Sequence, residues 1–173
     1  SAYLKQFDAI VVFNATSFHV GFKGENREAF LNFVYEGGGL FGCHAATDGG
    51  KDKWPEYSQL WGGAFGGHPW GKTGIWRIRN YDPRHAINLC FHGEGFDIND
   101  ELYRQVHPYK KGNFHTLTCI DLSARQNTHN NNGKIKTVPP EAERKPGEPN
   151  PAKVPLNLER EYPTSWCKKA RKG

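Results

Sequence analysis

The chain lacks the cysteine spacings that mark a metal or redox module. Its four cysteines stand at 43, 90, 119 and 167, and none forms a C-x-x-C pair. That argues against a zinc ribbon, a thioredoxin-type dithiol and c-type haem attachment. Long apolar runs are also missing. No stretch approaches the roughly 18 residues of a membrane span, and no signal-peptide pattern stands at Ser1. Methionine is absent, so Ser1 is expected to follow processing or a start outside the sequence. Apolar content is low at 36%, while aromatic content is high at 13%. A soluble, bacterial-type protein of the cytoplasm or periplasm is expected. At 173 residues the chain is long enough for one domain with a real core.

Charge is unevenly placed. Residues 1–121 carry 12 Lys/Arg against 13 Asp/Glu, and residues 122–173 carry 11 against 5. The formal net charge of +5 is therefore a property of the tail. A basic tail can touch nucleic acid or anionic membrane. No aromatic residue interleaves the basic ones between Leu122 and Arg160, so single strands find no stacking platform. No nucleic-acid partner is expected. Seven of the eleven prolines lie between Pro139 and Pro163, which excludes a helix or a central strand there. Residues 123–161 read as a polar, basic surface insertion, and residues 162–173 as a return to the sheet.

Residues 7–14 (FDAIVVFN) form a continuous apolar run, the pattern of a parallel strand buried on both faces. Residues 25–35 place apolar groups at 30, 31, 33 and 34 behind an acidic start, which predicts an amphipathic helix. Glycines 37–39 stop it, and residues 40–45 form the next strand. Residues 54–61 predict a short helix with Pro55 in its first turn. Residues 73–79 alternate as a half-exposed strand does. Residues 114–122 are a further apolar strand.

Chemistry gathers at residues 37–48 (GGGLFGCHAATD), where a buried strand breaks into a sharp turn. Ligands bind at the carboxyl ends of strands in open α/β sheets. His44 there suits acid–base work or metal ligation, against a turn histidine bonded to backbone. Cys43, one residue earlier, is expected to point into the core, and Cys119 to be a small core residue. Asp48 either orients His44 or caps the next segment. His68 follows Gly66 and Gly67, with Pro69 and Trp70 stiffening the loop. Glu101 alternates with Tyr103 and is a base, a metal ligand or a structural acceptor. Of Trp54, Tyr57, Trp61 and Trp70, some belong to the core, and one or two are candidates for a platform under sugar rings. His19 is a weaker candidate at the same edge. His44, His68 and Glu101 would make a two-His, one-carboxylate set for a divalent metal, the one candidate cofactor. The remaining histidines, at 85, 92, 107, 115 and 129, carry no signal above surface background.

Five segments in order carry a resemblance. They are residues 7–14, residues 37–48, Trp54-Pro55-Glu56-Tyr57, Gly67-His68-Pro69-Trp70 and Asp100-Glu101-Leu102-Tyr103. Over residues 1–122, with a weaker echo at 162–168, the chain resembles the ThuA-like (trehalose-utilisation) family. That family belongs to the class I glutamine-amidotransferase-like superfamily. The resemblance implies a flavodoxin-like, three-layer α/β fold with a mostly parallel central sheet. It also implies a further strand, helix and strand before residue 7, and a last strand beyond the match to 165–173. Relative to the family the chain is expected to be truncated at both ends, and so to meet a protein partner, a second copy or an unseen remainder of the same chain.

The superfamily's amidotransferases present their nucleophile on a Gly-x-Cys-x-Gly elbow. Here Gly42-Cys43-His44-Ala45-Ala46 puts His44 in that slot, so a glutaminase reaction is not expected. The resemblance implies instead a carbohydrate substrate, a keto-disaccharide or trehalose-like sugar. The matching reaction is of isomerase, lyase or hydrolase type by acid–base chemistry. His44 would be an acid–base group and His68 a second one or a substrate polariser, with Glu101 and Asp48 as orienting carboxylates. Trp54, Tyr57, Trp70, Tyr103 and His19 would contact the sugar. The alternatives are a non-catalytic carbohydrate-binding or interaction module, and a Cys43-dependent hydrolase.

Overall fold

A computed structural model describes residues 2–50, 53–138 and 154–170. The Pro-rich centre of the predicted insertion, residues 139–153, lies outside them. The chain divides into two compact units. One takes the described residues of 1–65, 107–113 and 168–173, and the other those of 66–106 and 114–167.

In the first unit, β1 (Ala9–Phe13), α1 (Glu25–Tyr35), β2 (Gly39–Cys43), α2 (Pro55–Trp61) and β3 (Ala64–Phe65) follow in order. β1 and β2 pair in parallel, with Ala9 opposite Gly39 and Phe13 opposite Cys43. Glu25 and Glu28 sit in the first turn of α1, where the helix dipole favours negative charge. Gly37, at φ +110°, ends the helix. The Gly38 N–H returns to the Phe33 carbonyl and the Gly37 N–H to Val34, the paired bonds of a Schellman stop. A side chain at 38 would collide with the Phe33 ring at 2.3 Å.

Val12 packs with Phe30, Phe33 and Val34 of α1 and with Trp54, Tyr57, Leu60 and Trp61 around α2. Each such buried aromatic is worth on the order of 2–3 kcal/mol over its exposed state. Both helices cover the same face of the strand pair. Among the described residues the opposite face is bare, with Val11, Phe13 and Phe41 at 63%, 73% and 60% exposure. The expectation of a strand buried on both faces is therefore corrected. So is the three-layer arrangement among the described residues. The apolar run alone could not distinguish one covered face from two. Cys43 is corrected as well. It shares the side of Phe41, two residues earlier, because strand side chains alternate. It lies half-buried on the bare face, not in the core.

The second unit holds β4 (Ile75–Asn80), β5 (Phe96–Asn99), β6 (Gln105–Val106), β7 (His115–Ile120), α3 (Arg125–Thr128), β8 (Thr137–Val138), β9 (Val154–Pro155) and β10 (Pro163–Cys167). Four strands form a sheet in the order β10-β7-β4-β5, with every neighbour antiparallel. A mostly parallel sheet is thus not what the described residues form. The parallel part is β1–β2 alone. The alternation in β4, where Trp76, Ile78 and Asn80 are buried and Ile75 and Arg79 exposed, is the pattern of an antiparallel strand covered on one face. A core of Trp70, Trp76, Ile78, Leu102, Ile120, Val138, Leu156 and Tyr162 packs against it. Among the described residues no helix is long and apolar enough to cross a membrane.

Val138 and Leu156 come from the segment read as a surface insertion, and so does Asn127, which has no exposed area. Asn127 works as a surrogate strand. Its amide donates to the carbonyls of Arg77 at 2.6 Å and Asp121 at 2.8 Å, and its oxygen accepts the Arg77 N–H at 3.2 Å. Its own carbonyl takes the Trp70 indole N–H at 2.8 Å. Replacing Asn127 with Ala is expected to cost about 2–4 kcal/mol, because buried backbone groups lose their partners. Asn131→Ala, at an exposed position, should stay within about 0.5 kcal/mol of the parent. Urea denaturation of the two variants checks this, and equal midpoints would mean that the segment is peripheral.

Candidate functional site

In the first unit both parallel strands end in strained backbone. Asn14 follows β1 at φ 47°, His44 follows β2 at φ 54°, and Ser17 lies near by in sequence at φ 55°. Non-glycine residues rarely occupy this left-handed region, and such strain concentrates at functional sites. The Asn14 N–H donates to the Cys43 carbonyl at 3.1 Å, which continues the strand pairing by one step. The His44 ring places Nδ1 2.9 Å from Asn14 Oδ1. An amide oxygen only accepts, so the neutral ring carries its proton on Nδ1 and its lone pair on Nε2. His44 is exposed, and a lone pair in that setting can accept a proton from a bound molecule.

The reason for the kink lies one residue earlier than Cys43. A side chain at Gly42 would strike the Trp61 ring at 2.6 Å and the Ala46 Cβ at 3.0 Å, so α2 packs directly on the strand end. Asp48 closes the 3-10 turn His44–Asp48. Gly49 comes next, and His19 braces it. The His19 Nδ1 lies 3.0 Å from the Gly49 carbonyl, which also takes the His19 N–H. Arg27 completes the brace, donating to the carbonyls of Phe22, Lys53 and His19 while stacked over Trp54.

The second unit gathers His68, Glu101 and Tyr103. His68 Nδ1 stands 2.9 Å from Glu101 Oε2, and the two side chains are 23% and 21% exposed. The Tyr103 hydroxyl reaches toward Glu101 Oε1 at 3.5 Å, and its ring meets the His68 ring edge-on at 4.9 Å. The two glycines before His68 have different causes, a close contact at Gly66 and a φ of +103° at Gly67. Gly66 and Gly67 exchange backbone hydrogen bonds with Arg104, and a side chain at 66 would overlap Val106 at 2.3 Å. Arg104 is buried and donates from Nη2 to the Gly66 carbonyl at 3.2 Å. Burial, then the nearby Arg160 charge, holds its pKa below the usual guanidinium range.

Trp54, Tyr57 and Trp70 do not form a platform. All three are buried, so no ring face is open to a solute. The Tyr57 hydroxyl donates to the Ala46 carbonyl at 2.8 Å, and burial pushes its pKa far up. Trp70 meets Tyr162 edge-on at 5.1 Å. Of the proposed metal set, His44 belongs to one unit and His68 and Glu101 to the other. Among the described residues no three His, Cys, Asp or Glu side chains are grouped to hold a metal ion.

A further cluster in the second unit was invisible in the sequence. Asp82 Oδ2 lies 2.8 Å from His115 Nε2, although 33 residues separate them. The nearest signal was the cross-strand position of residue 115, which needs the β7 pairing to be known. The hydrogen bond from His115, ahead of the Arg84 N–H and the charges of His115 and His85, holds the Asp82 carboxyl below its usual range. The folded value therefore lies below the unfolded value of about 3.9. The pair's contribution is fully present above that pH and is lost as the pH falls through the folded value. His115→Gln should move the Asp82 midpoint up toward about 3.9 in a carboxyl-carbon NMR titration. An unmoved midpoint would remove His115 as the cause.

The sequence pattern of the ThuA family, described as trehalose utilisation, matches residues 1–173. A ThuA-like protein from Bacteroides uniformis ATCC 8492, solved by crystallography at 2.30 Å, is similar in structure, with a TM-score of 0.66 and 20% sequence identity. The match covers 97% of this chain and 58% of that one, so the chain spans a little over half the length of that protein. No curated protein matches. The chain belongs to the ThuA family.

Proposed function

We propose that the chain acts on a carbohydrate, a keto-disaccharide or trehalose-like sugar, by histidine–carboxylate acid–base chemistry. The observation that carries this reading is the 2.9 Å approach of Glu101 to His68 Nδ1 in a partly open position. A carboxylate against one ring nitrogen favours a proton there and leaves the lone pair on the other. His68 Nε2 then takes a proton from the carbon beside a ketone, and Glu101 stabilises the imidazolium that forms. Returning that proton to the neighbouring carbon gives isomerisation, and expelling a leaving group gives elimination. The Tyr103 hydroxyl lies against the same carboxylate. His44, held by Asn14, is the second proposed acid–base group, with Asp48 in its turn.

Each histidine is tested alone. His68→Gln and Glu101→Gln are each expected to lower kcat on a keto-disaccharide by about 100-fold or more, the usual worth of a general base. Expected for His44→Ala is a loss of similar size. Full turnover in a folded His68→Gln protein would end the acid–base reading of that pair.

A non-catalytic reading also has support. Val11, Phe13 and Phe41 leave an apolar face open on β1–β2, and contiguous apolar surface of this kind marks interaction sites. In this reading the chain is a carbohydrate-binding or interaction module within a larger assembly. Calorimetric binding of a disaccharide with no turnover under any condition would favour it.

A further inference from the structure

All four cysteines are free thiols, and their surroundings differ sharply. Cys119 is buried, and burial pushes its thiol up to about 11. Cys90 is exposed, and its thiol is given to the Ile87 carbonyl at 3.5 Å. Cys167 is different. Its sulfur lies 3.8 Å from His85 Nε2, at the end of β10, which is an edge strand of the four-stranded sheet.

The direction of that contact is set by backbone. His85 Nδ1 accepts the Ile87 N–H at 3.3 Å, so the neutral ring must carry its proton on Nε2, the nitrogen facing sulfur. The sulfur is then an acceptor. Anionic sulfur is the nucleophilic form, and here an imidazole nitrogen faces the sulfur. A second imidazole stands close to the first. His115 sits directly opposite Cys167 in the β7–β10 register, its ring 5.4 Å from that of His85. Asp82 bonds His115 and lies within electrostatic reach of both rings.

We propose that Cys167 is a modification site, a nucleophilic thiol that His85 positions for exchange with small aliphatic disulfides. The Cys167 sulfur attacks one sulfur of the reagent. A new S–S bond forms to Cys167 as the reagent's own S–S bond breaks. The displaced thiolate leaves with that electron pair and takes up the proton that Cys167 gave up to solvent. The disulfide is the oxidant, and the chain ends as a mixed disulfide.

The test treats the folded chain with limiting glutathione disulfide and follows each cysteine by peptide mass spectrometry. Cys167 should gain the adduct first, ahead of the more exposed Cys90. His85→Gln should slow Cys167 about tenfold, since an amide cannot carry the charge that an imidazolium brings to the sulfur. Faster modification of Cys90, or an unchanged Cys167 rate in His85→Gln, would overturn the proposal. So would fastest modification of Cys43, which would move the reactive thiol to the end of β2. If His85→Gln does not fold, the order of Cys167 and Cys90 in the parent chain decides alone.

Discussion

A buried backbone N–H or carbonyl must find a partner, and in this chain side chains supply many of them. Apolar content is low, and much of each core is closed by irregular segments that cannot pair with a strand. Asn127 bridges Arg77 and Asp121. Asn88 gives its amide to the carbonyls of Asp82 and Leu117 and to the Asn80 side chain. Arg27 holds three carbonyls, and Tyr57 holds Ala46. Such bonds contribute modestly when made and cost far more when broken. They fix loops in one conformation, and the turn that carries His44 is held in this way by Tyr57.

The same economy shapes the chemistry. His44 stands in strained backbone because Gly42 admits Trp61 and Ala46 against the strand end. His68 is aimed because Gly66 lets its loop pair closely with Arg104. In each case a glycine removes volume so that a neighbour can approach, and the next polar residue is turned outward. A histidine paired with an amide oxygen and a histidine paired with a carboxylate are poised differently. Asn14 offers His44 a neutral acceptor, whereas Glu101 offers His68 an anionic one.

Local elements were legible where the signal was local. The acidic start and the glycine stop of α1, Pro55 at the first turn of α2 and the alternation in β4 all rest on neighbours within a few residues. The juxtaposition of His68, Glu101 and Tyr103 was within reach of the motif pattern, while their geometry was not. Three readings failed for one reason: burial is not a local quantity. The apolar run of β1 does not tell how many of its faces are covered. Trp54 and Tyr57 are flat rings in any sequence, and only packing hides them. A segment rich in asparagine and proline reads as surface, yet Asn127 is the inner partner of a strand.

By itself the sequence determined the family, the strand–helix–strand start, the stops at glycine and the two loops that carry histidine. These depend on backbone preferences and on short-range order, which act before the chain folds. Only the tertiary structure decided which strands run antiparallel, which aromatics are core and which cysteine meets an imidazole. Asp82, His85, His115 and Cys167 are brought together by the β7–β10 register and a turn. Contacts between residues so distant in sequence exist only once the sheet has formed.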